Sequence, residues 1–170
     1  MKKILIAVAL ITVAIMMVVI FNGCGVIAAK AVEKAIENKT GISIDTNSGE
    51  IKATDAQGNE ANIGGNKLPE GWPDVVPVGK DIQIQISGSN KSNGKTTWSI
   101  SGTFSGSGED LYNYYKSQLS SWNADSDTNS NSEGTNNWTF QLSNDKYTLF
   151  IMITDDGKET KSIIFALTEK

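Results

Sequence analysis

The chain of 170 residues contains no histidine, and all 15 of its basic residues are lysines. Without histidine it lacks the usual general base of nucleophilic triads and a common zinc ligand. Without arginine it lacks the planar guanidinium that binds phosphate and carboxylate groups bidentately. The formal net charge is −4, whereas nucleic-acid-binding domains usually present a basic face. We therefore expect no nucleic-acid partner.

Recognisable catalytic motifs are also missing. A serine with a lysine base, or two carboxylates acting as a glycosidase pair, is formally possible, but these residue types stand in no recognisable pattern here. The glycines are expected at turns, and no loop of the Walker type that binds phosphates occurs. The sequence therefore favours a protein that is not an enzyme and uses no cofactor.

Cysteine occurs once, at Cys24, so no disulfide can form within the chain. It ends an uncharged stretch that follows Lys2 and Lys3 and that is apolar from residue 4 to residue 21 except for Thr12. A basic start followed by such a stretch is typical of an export signal or of a membrane-spanning helix. Both interpretations keep the two lysines in the cytoplasm and place the rest of the chain outside the membrane.

The residues that precede Cys24 resemble a bacterial lipobox, in which a cysteine after a small residue becomes the acylated N-terminus of a lipoprotein. Gly23 and Cys24 match that pattern, whereas Phe21 and Asn22 depart from it. The resemblance implies removal of residues 1–23 and lipidation of Cys24. The length of the apolar stretch, close to the roughly 20 residues of a spanning helix, instead indicates an uncleaved anchor. We favour the lipoprotein, and both alternatives predict an extracytoplasmic protein held at the membrane.

Two small regions are predicted between the leader and the main domain. Residues 24–41 are predicted to form a short tether, in which residues 26–38 form an amphipathic helix. The apolar face of this helix consists of Ala28, Ala29, Val32, Ala35 and Ile36, and the opposite face carries Lys30, Glu33, Lys34 and Glu37. Residues 42–66 have turn signals about every ten residues, which predicts a small β-meander with strands at 42–44, 50–54 and 59–63. This meander has too few apolar residues to form a core alone.

Residues 67–170 are predicted to form an α+β domain. Alternating apolar residues predict a strand from Ile82 and another through Trp98, joined by a hairpin at Asn93-Gly94. A capping signal at Ser107 begins a helix, and three further strands follow around residues 138–142, 147–153 and 163–167. The order ββαβββ predicts an antiparallel sheet with one helix packed on it. The last two strands are partly apolar on both faces, which is typical of central strands covered on each side.

A run of oxygen-bearing side chains follows the helix at every second position: Asp125, Asp127, Asn129, Asn131 and Glu133. Calcium binds six to eight oxygen ligands, which alternate positions in a loop can supply. The match to an EF-hand loop fails because Ser130 replaces the turn glycine and Asn136 replaces the bidentate glutamate. We consider calcium binding here, and favour a solvated low-complexity connection.

The proline-rich segment with Leu68, Pro69, Pro73 and Pro77, together with the helix motif from Leu111 to Lys116, resembles a module of uncharacterised bacterial envelope lipoproteins. The resemblance covers roughly residues 68–170. It implies a single anchored domain, and it implies no catalytic residue.

Two functional hypotheses remain. The first is a membrane-anchored extracytoplasmic domain that binds an envelope protein or glycan without catalysis, through exposed strand edges and polar loops. The second is a secreted hydrolase or a calcium-dependent binder that acts on cell-wall glycans, which would require a concave pocket with converging carboxylates.

Overall fold

The computed structural model describes residues 43–45, 50–54, 58–159 and 161–170. The predicted leader, the tether at 24–41 and Cys24 lie outside these residues. The described part contains one helix, α1, Gly108–Gln118. Its strands are β1 Ser43–Asp45, β2 Glu50–Thr54, β3 Glu60–Gly64, β4 Ile82–Ser92, β5 Lys95–Phe104, β6 Asn123–Ser132, β7 Thr135–Ser143, β8 Tyr147–Asp155 and β9 Lys161–Glu169.

The strands form a single nine-stranded sheet in the order β1-β2-β3-β4-β5-β9-β8-β7-β6, and each neighbouring pair is antiparallel. The prediction of an α+β fold with an antiparallel sheet is therefore confirmed. Strand β5 leads into α1, and α1 leads into β6 at the far edge. The strands β6 to β9 then return one by one until β9 pairs with β5.

The three short strands predicted for the small β-meander are present as β1, β2 and β3. They continue the main sheet, because β3 pairs with β4 and Ile63 lies opposite Gly88. Since these strands contain few apolar residues, this pairing gives them the neighbour that they need for stability. The division of the chain into separate domains stays a prediction.

Helix α1 begins where the capping signal predicts. The Ser107 hydroxyl accepts a hydrogen bond from the Asp110 N–H at 3.3 Å, which satisfies one of the free amides of the first turn. Glu109 and Asp110 in the first turn and Lys116 in the last turn complement the helix dipole. The helix ends at Gln118, where Leu119 provides the C-cap.

The hydrophobic core lies between α1 and one face of the sheet, which we call the core face. Tyr115 and Leu119 are buried against it, and Leu111, Tyr112 and Trp122 are partly buried. The sheet contributes the alternate apolar residues of β5, β7, β8 and β9: Trp98, Ile100, Phe104, Trp138, Phe140, Leu142, Leu149, Ile151, Ile153, Ile163, Phe165 and Leu167.

The proline-rich segment extends this cover on the core face. Trp72 packs edge-to-face on Phe165, with ring centroids 6.0 Å apart, and its indole N–H donates to the Val76 carbonyl at 2.8 Å. Val76 is buried, whereas Val75 is exposed. Trp72 and Val76 therefore attach the proline-rich segment to the core.

Strand β6 is absent from the sequence-based prediction. The order of elements in residues 67–170 is ββαββββ, and the predicted ββαβββ is wrong by this strand. The segment expected as a solvated connection pairs along its length with β7. All ten of its residues are exposed, and its sequence does not alternate between apolar and polar residues. The usual sequence signal of a half-buried strand is therefore absent.

Among the described residues, no helix has the length and the apolar content that are needed to cross a membrane.

Candidate functional site

Strand β6 forms one edge of the sheet, and its ten residues are all exposed. We call its outer side the β6 edge. An edge strand pairs on one side only, so its outward backbone N–H and C=O groups have no strand partner. The side chains are small and mostly polar, so an incoming strand can approach the backbone closely.

The ends of β6 are shaped by a bulge and a tight turn. The register with β7 shifts between Ala124 and Ser126, which places Asp125 at the bulge. At the other end, Glu133 and Gly134 have positive φ values of 53° and 86°, as a two-residue hairpin of type I′ requires. Between these two features the pairing with β7 is regular from Ser126 to Ser132.

A cluster of three polar side chains attaches β6 to helix α1. The Tyr112 hydroxyl donates to Asp127 Oδ1 at 2.9 Å. The Lys116 ammonium lies 2.8 Å from Asp127 Oδ2 and donates to the Tyr112 hydroxyl at 3.1 Å. Tyr112 also stacks on Phe140, with ring centroids 4.7 Å apart. The cluster therefore connects the edge strand to a ring that packs on the core.

The electrostatics of this cluster favour the charged form of Lys116. The hydrogen bond to Asp127, followed by the one to Tyr112, raises the pKa of Lys116 above its ordinary value. The Asp127 carboxylate is thus balanced by a lysine and hydrogen-bonded on both oxygens. A metal ion at Asp127 would have to displace these partners.

The residues considered as calcium ligands lie in a row along β6. Asp127 is opposite Phe140 and Asn129 is opposite Trp138, while the Asn131 amide donates to Asn136 Oδ1 at 2.6 Å. Alternate residues on a strand are separated by about 6.6 Å, so these side chains share a face without converging as they would in a loop. In the part of the chain that the structure describes, no group of three or more acidic or thiol side chains could hold a metal ion.

A cleft lies at the other end of the sheet from β6, on the core-face side. It has a volume of about 350 Å³ and lies between β2 to β4 and residues 67–70. Lys52, Asn62, Lys67 and Glu70 contribute to its lining, and the Ser87 hydroxyl donates to the Gly64 carbonyl at 3.3 Å in its wall. The converging carboxylates that the hydrolase hypothesis requires do not line this cleft.

Sequence reasoning missed Tyr112 and Lys116 as residues that position the edge. Their spacing of i and i+4 places them on neighbouring turns of one helix, and this signal is present in the sequence. Their partner Asp127 could not be identified, because its register depends on a strand that the sequence does not predict.

No protein-family model, no curated protein and no solved structure matches this chain.

Proposed function

We propose that this chain is a membrane-anchored, extracytoplasmic binding domain of the bacterial cell envelope that has no catalytic activity. The uncharged stretch after Lys2 and Lys3, and the resemblance of residues 21–24 to a lipobox, support attachment through a lipid on Cys24 or through an uncleaved helix. The folded sheet then presents its surfaces on the outer side of the membrane.

The β6 edge is the observation that carries the binding role. An extended segment of an envelope protein adds to this edge as a further antiparallel strand, and main-chain hydrogen bonds supply most of the affinity. Proteins usually protect such edges with lysine, proline or bulges. Strand β6 has a bulge near its start, but it contains neither lysine nor proline between Ser126 and Ser132.

The neighbouring cluster supports this role because it holds the edge in place before a partner arrives. Tyr112 and Lys116 fix Asp127 from the helix side, so the strand loses less conformational freedom when it is paired. A strand ordered in advance binds more tightly than one that must order on binding.

A photo-crosslinking residue placed at Thr128 in the full chain, in intact cells, tests the binding role. We expect an adduct with one envelope protein, mapped by mass spectrometry to an extended segment of that partner. The matched control is the same residue at Asn113, which is exposed on α1 and should give no such adduct. Equal adducts from both positions, or none from Thr128, would contradict the proposal.

Mass spectrometry of the native protein tests the attachment. An N-terminal acylated Cys24 would support the lipoprotein, and an intact start at Met1 or Lys2 in the membrane fraction would support the uncleaved anchor. Full-length protein without lipid in the cytosolic fraction would contradict both.

A further inference from the structure

The face of the sheet opposite the core face, which we call the open face, is almost free of charge. Strand registers assign to it the positions that alternate with the core residues. Serine, threonine, asparagine and glutamine occupy most of these positions. Among the strand positions with a regular register between Ile51 and Glu169, Lys95 is the one charged residue on this face, and it lies beside the β4–β5 turn.

The charged residues of the same strands point to the core-face side, around the rim of the core. The registers place on that side Lys52, Glu60, Lys91, Asp127, Asp155, Lys161 and Glu169. Asp125 lies at the bulge of β6. Charged residues make up 20% of the chain, so a face with almost none differs strongly in charge from the core-face side. Burying a charge is costly, and the open face can be covered without that cost.

An apolar strip crosses the middle of the open face. It runs from Ile51 and Ile63 on β2 and β3, past Gly88 on β4, to Ala166 and Phe150 on β9 and β8, with Ser99 of β5 between Gly88 and Ala166. A second row of the strip contains Ile86, Ile164 and Met152, with Ser101 of β5 between Ile86 and Ile164. Ile86 is 48% exposed. Helix α1 and the proline-rich segment both lie on the core face, so no described element outside the sheet covers this strip.

We propose that the predicted amphipathic helix at residues 26–38 of this same chain docks on the open face. Its apolar side consists of alanines with Val32 and Ile36, so the helix can approach the sheet closely. Its lysines and glutamates lie on the opposite side and stay in water. The proposal concerns a different surface from the β6 edge and does not depend on binding there.

The length of the chain before β1 fits this placement. A helix of 13 residues is about 20 Å long, and residues 39–42 span at most about 13 Å. Strands are about 4.8 Å apart, so β9 lies about 24 Å and β8 about 29 Å from β1. The segment that precedes Ser43 therefore reaches across the sheet as far as the strip on β8 and β9.

A benzophenone amino acid at Val32 of the full chain, in native membranes, tests this docking. We expect an intramolecular adduct that mass spectrometry maps to the middle of the open face, on β4, β5 or β9 around Ile86 and Ala166. The control is the same probe at Lys34, which lies on the polar side of the predicted helix and should not give this adduct. A covalent dimer would show that a second copy covers the face, and would overturn the proposal. An adduct only with lipid, or no adduct with the sheet, would overturn it as well.

Substitution of the face provides a second readout with its own control. Ile164→Lys places a charge in the strip, and we expect the yield of the Val32 adduct to fall about tenfold or more, since a buried unpaired charge is costly. Ile164→Thr keeps a branched, uncharged side chain and should retain the adduct. An unchanged yield with Ile164→Lys, in a protein whose circular dichroism is unaltered, would contradict the proposal.

Discussion

Gly108, the first residue of α1, is a residue whose missing side chain is required by packing. A Cβ atom at this position would lie 2.6 Å from Trp138 Cζ3 and 2.8 Å from Asp155 Cβ. The Gly108 N–H also donates to the buried Asp155 carboxylate at 2.9 Å. The helix start, the edge of the core and an acidic side chain thus meet where only glycine fits.

Gly108→Ala is therefore expected to lower the free energy of unfolding by about 1–3 kcal/mol, because the added methyl group overpacks the site. Urea denaturation followed by tryptophan fluorescence measures this change. Gly79→Ala is the control, since a Cβ there would have neighbours no closer than 3.7 Å and the backbone N–H that donates to Tyr115 is retained. Equal effects of the two substitutions would contradict the packing argument.

Tyr115 gives the stability of the fold a dependence on alkaline pH. Burial raises the pKa of its hydroxyl above the ordinary value of 10.0, so the folded state keeps a proton that the unfolded state loses above about pH 10. The unfolded state then binds fewer protons, and stability falls as the pH rises beyond that point. The contribution of Tyr115 to the free energy of unfolding is therefore fully present below about pH 10 and is lost as the pH rises above it.

Urea denaturation at pH 9, 10 and 11 measures this dependence. We expect the loss of stability above pH 10 to be smaller in Tyr115→Phe, although this variant is about 1 kcal/mol less stable at neutral pH, because the Gly79 N–H loses its acceptor. The proposed cause would be wrong if Tyr115→Phe had the same slope as the wild type.

At the scale of elements, the position of β6 depends on polar contacts with α1. Lys116→Met removes the ion pair with Asp127 and the hydrogen bond to Tyr112. We expect several-fold faster hydrogen exchange at the amides of β6, with β8 and β9 unchanged. Lys80→Met, a surface substitution away from β6, should leave exchange in β6 unaltered. High salt should act in the same direction as Lys116→Met, because it screens exposed ion pairs. Unchanged exchange in β6 would contradict this role of the cluster.

The same elements show what could be predicted from the sequence. Asn93-Gly94 identifies its hairpin because both residues readily adopt the positive φ values that are observed, 53° and 76°. Glu133-Gly134 makes a similar turn, but glutamate rarely adopts positive φ, so this dipeptide is a weak turn signal. Without that turn, the polar residues before it resemble a connection. Asp127 can be selected from the sequence as a candidate site residue because of its carboxylate. Its partners Tyr112 and Lys116 cannot, because they follow from the register of a strand that the sequence does not predict.

At the scale of the whole molecule, the sheet is continuous, but its two ends are stabilised differently. Strands β5, β7, β8 and β9 contribute most of the buried core residues. Strands β1 to β3 extend beyond that core and join it through β3 and β4. Local opening is expected to be easier where few apolar side chains are buried, so the β3–β4 junction determines whether the far end stays folded.

Gly88 makes this junction possible and provides its test. A Cβ at Gly88 would lie 2.6 Å from the Asn62 carbonyl oxygen on β3, so Gly88→Ala forces the two strands apart. We expect the free energy of local opening in β2 and β3 to fall by about 1–3 kcal/mol, measured by native-state hydrogen exchange, with β8 and β9 retaining their protection. The Cβ of Gly102→Ala would make an equally close contact, 2.6 Å from the Gln83 carbonyl oxygen. This contact lies between β4 and β5, beside the core. The substitution should therefore reduce protection throughout the sheet, and a similar global loss with Gly88→Ala would show that both ends of the sheet unfold as one unit.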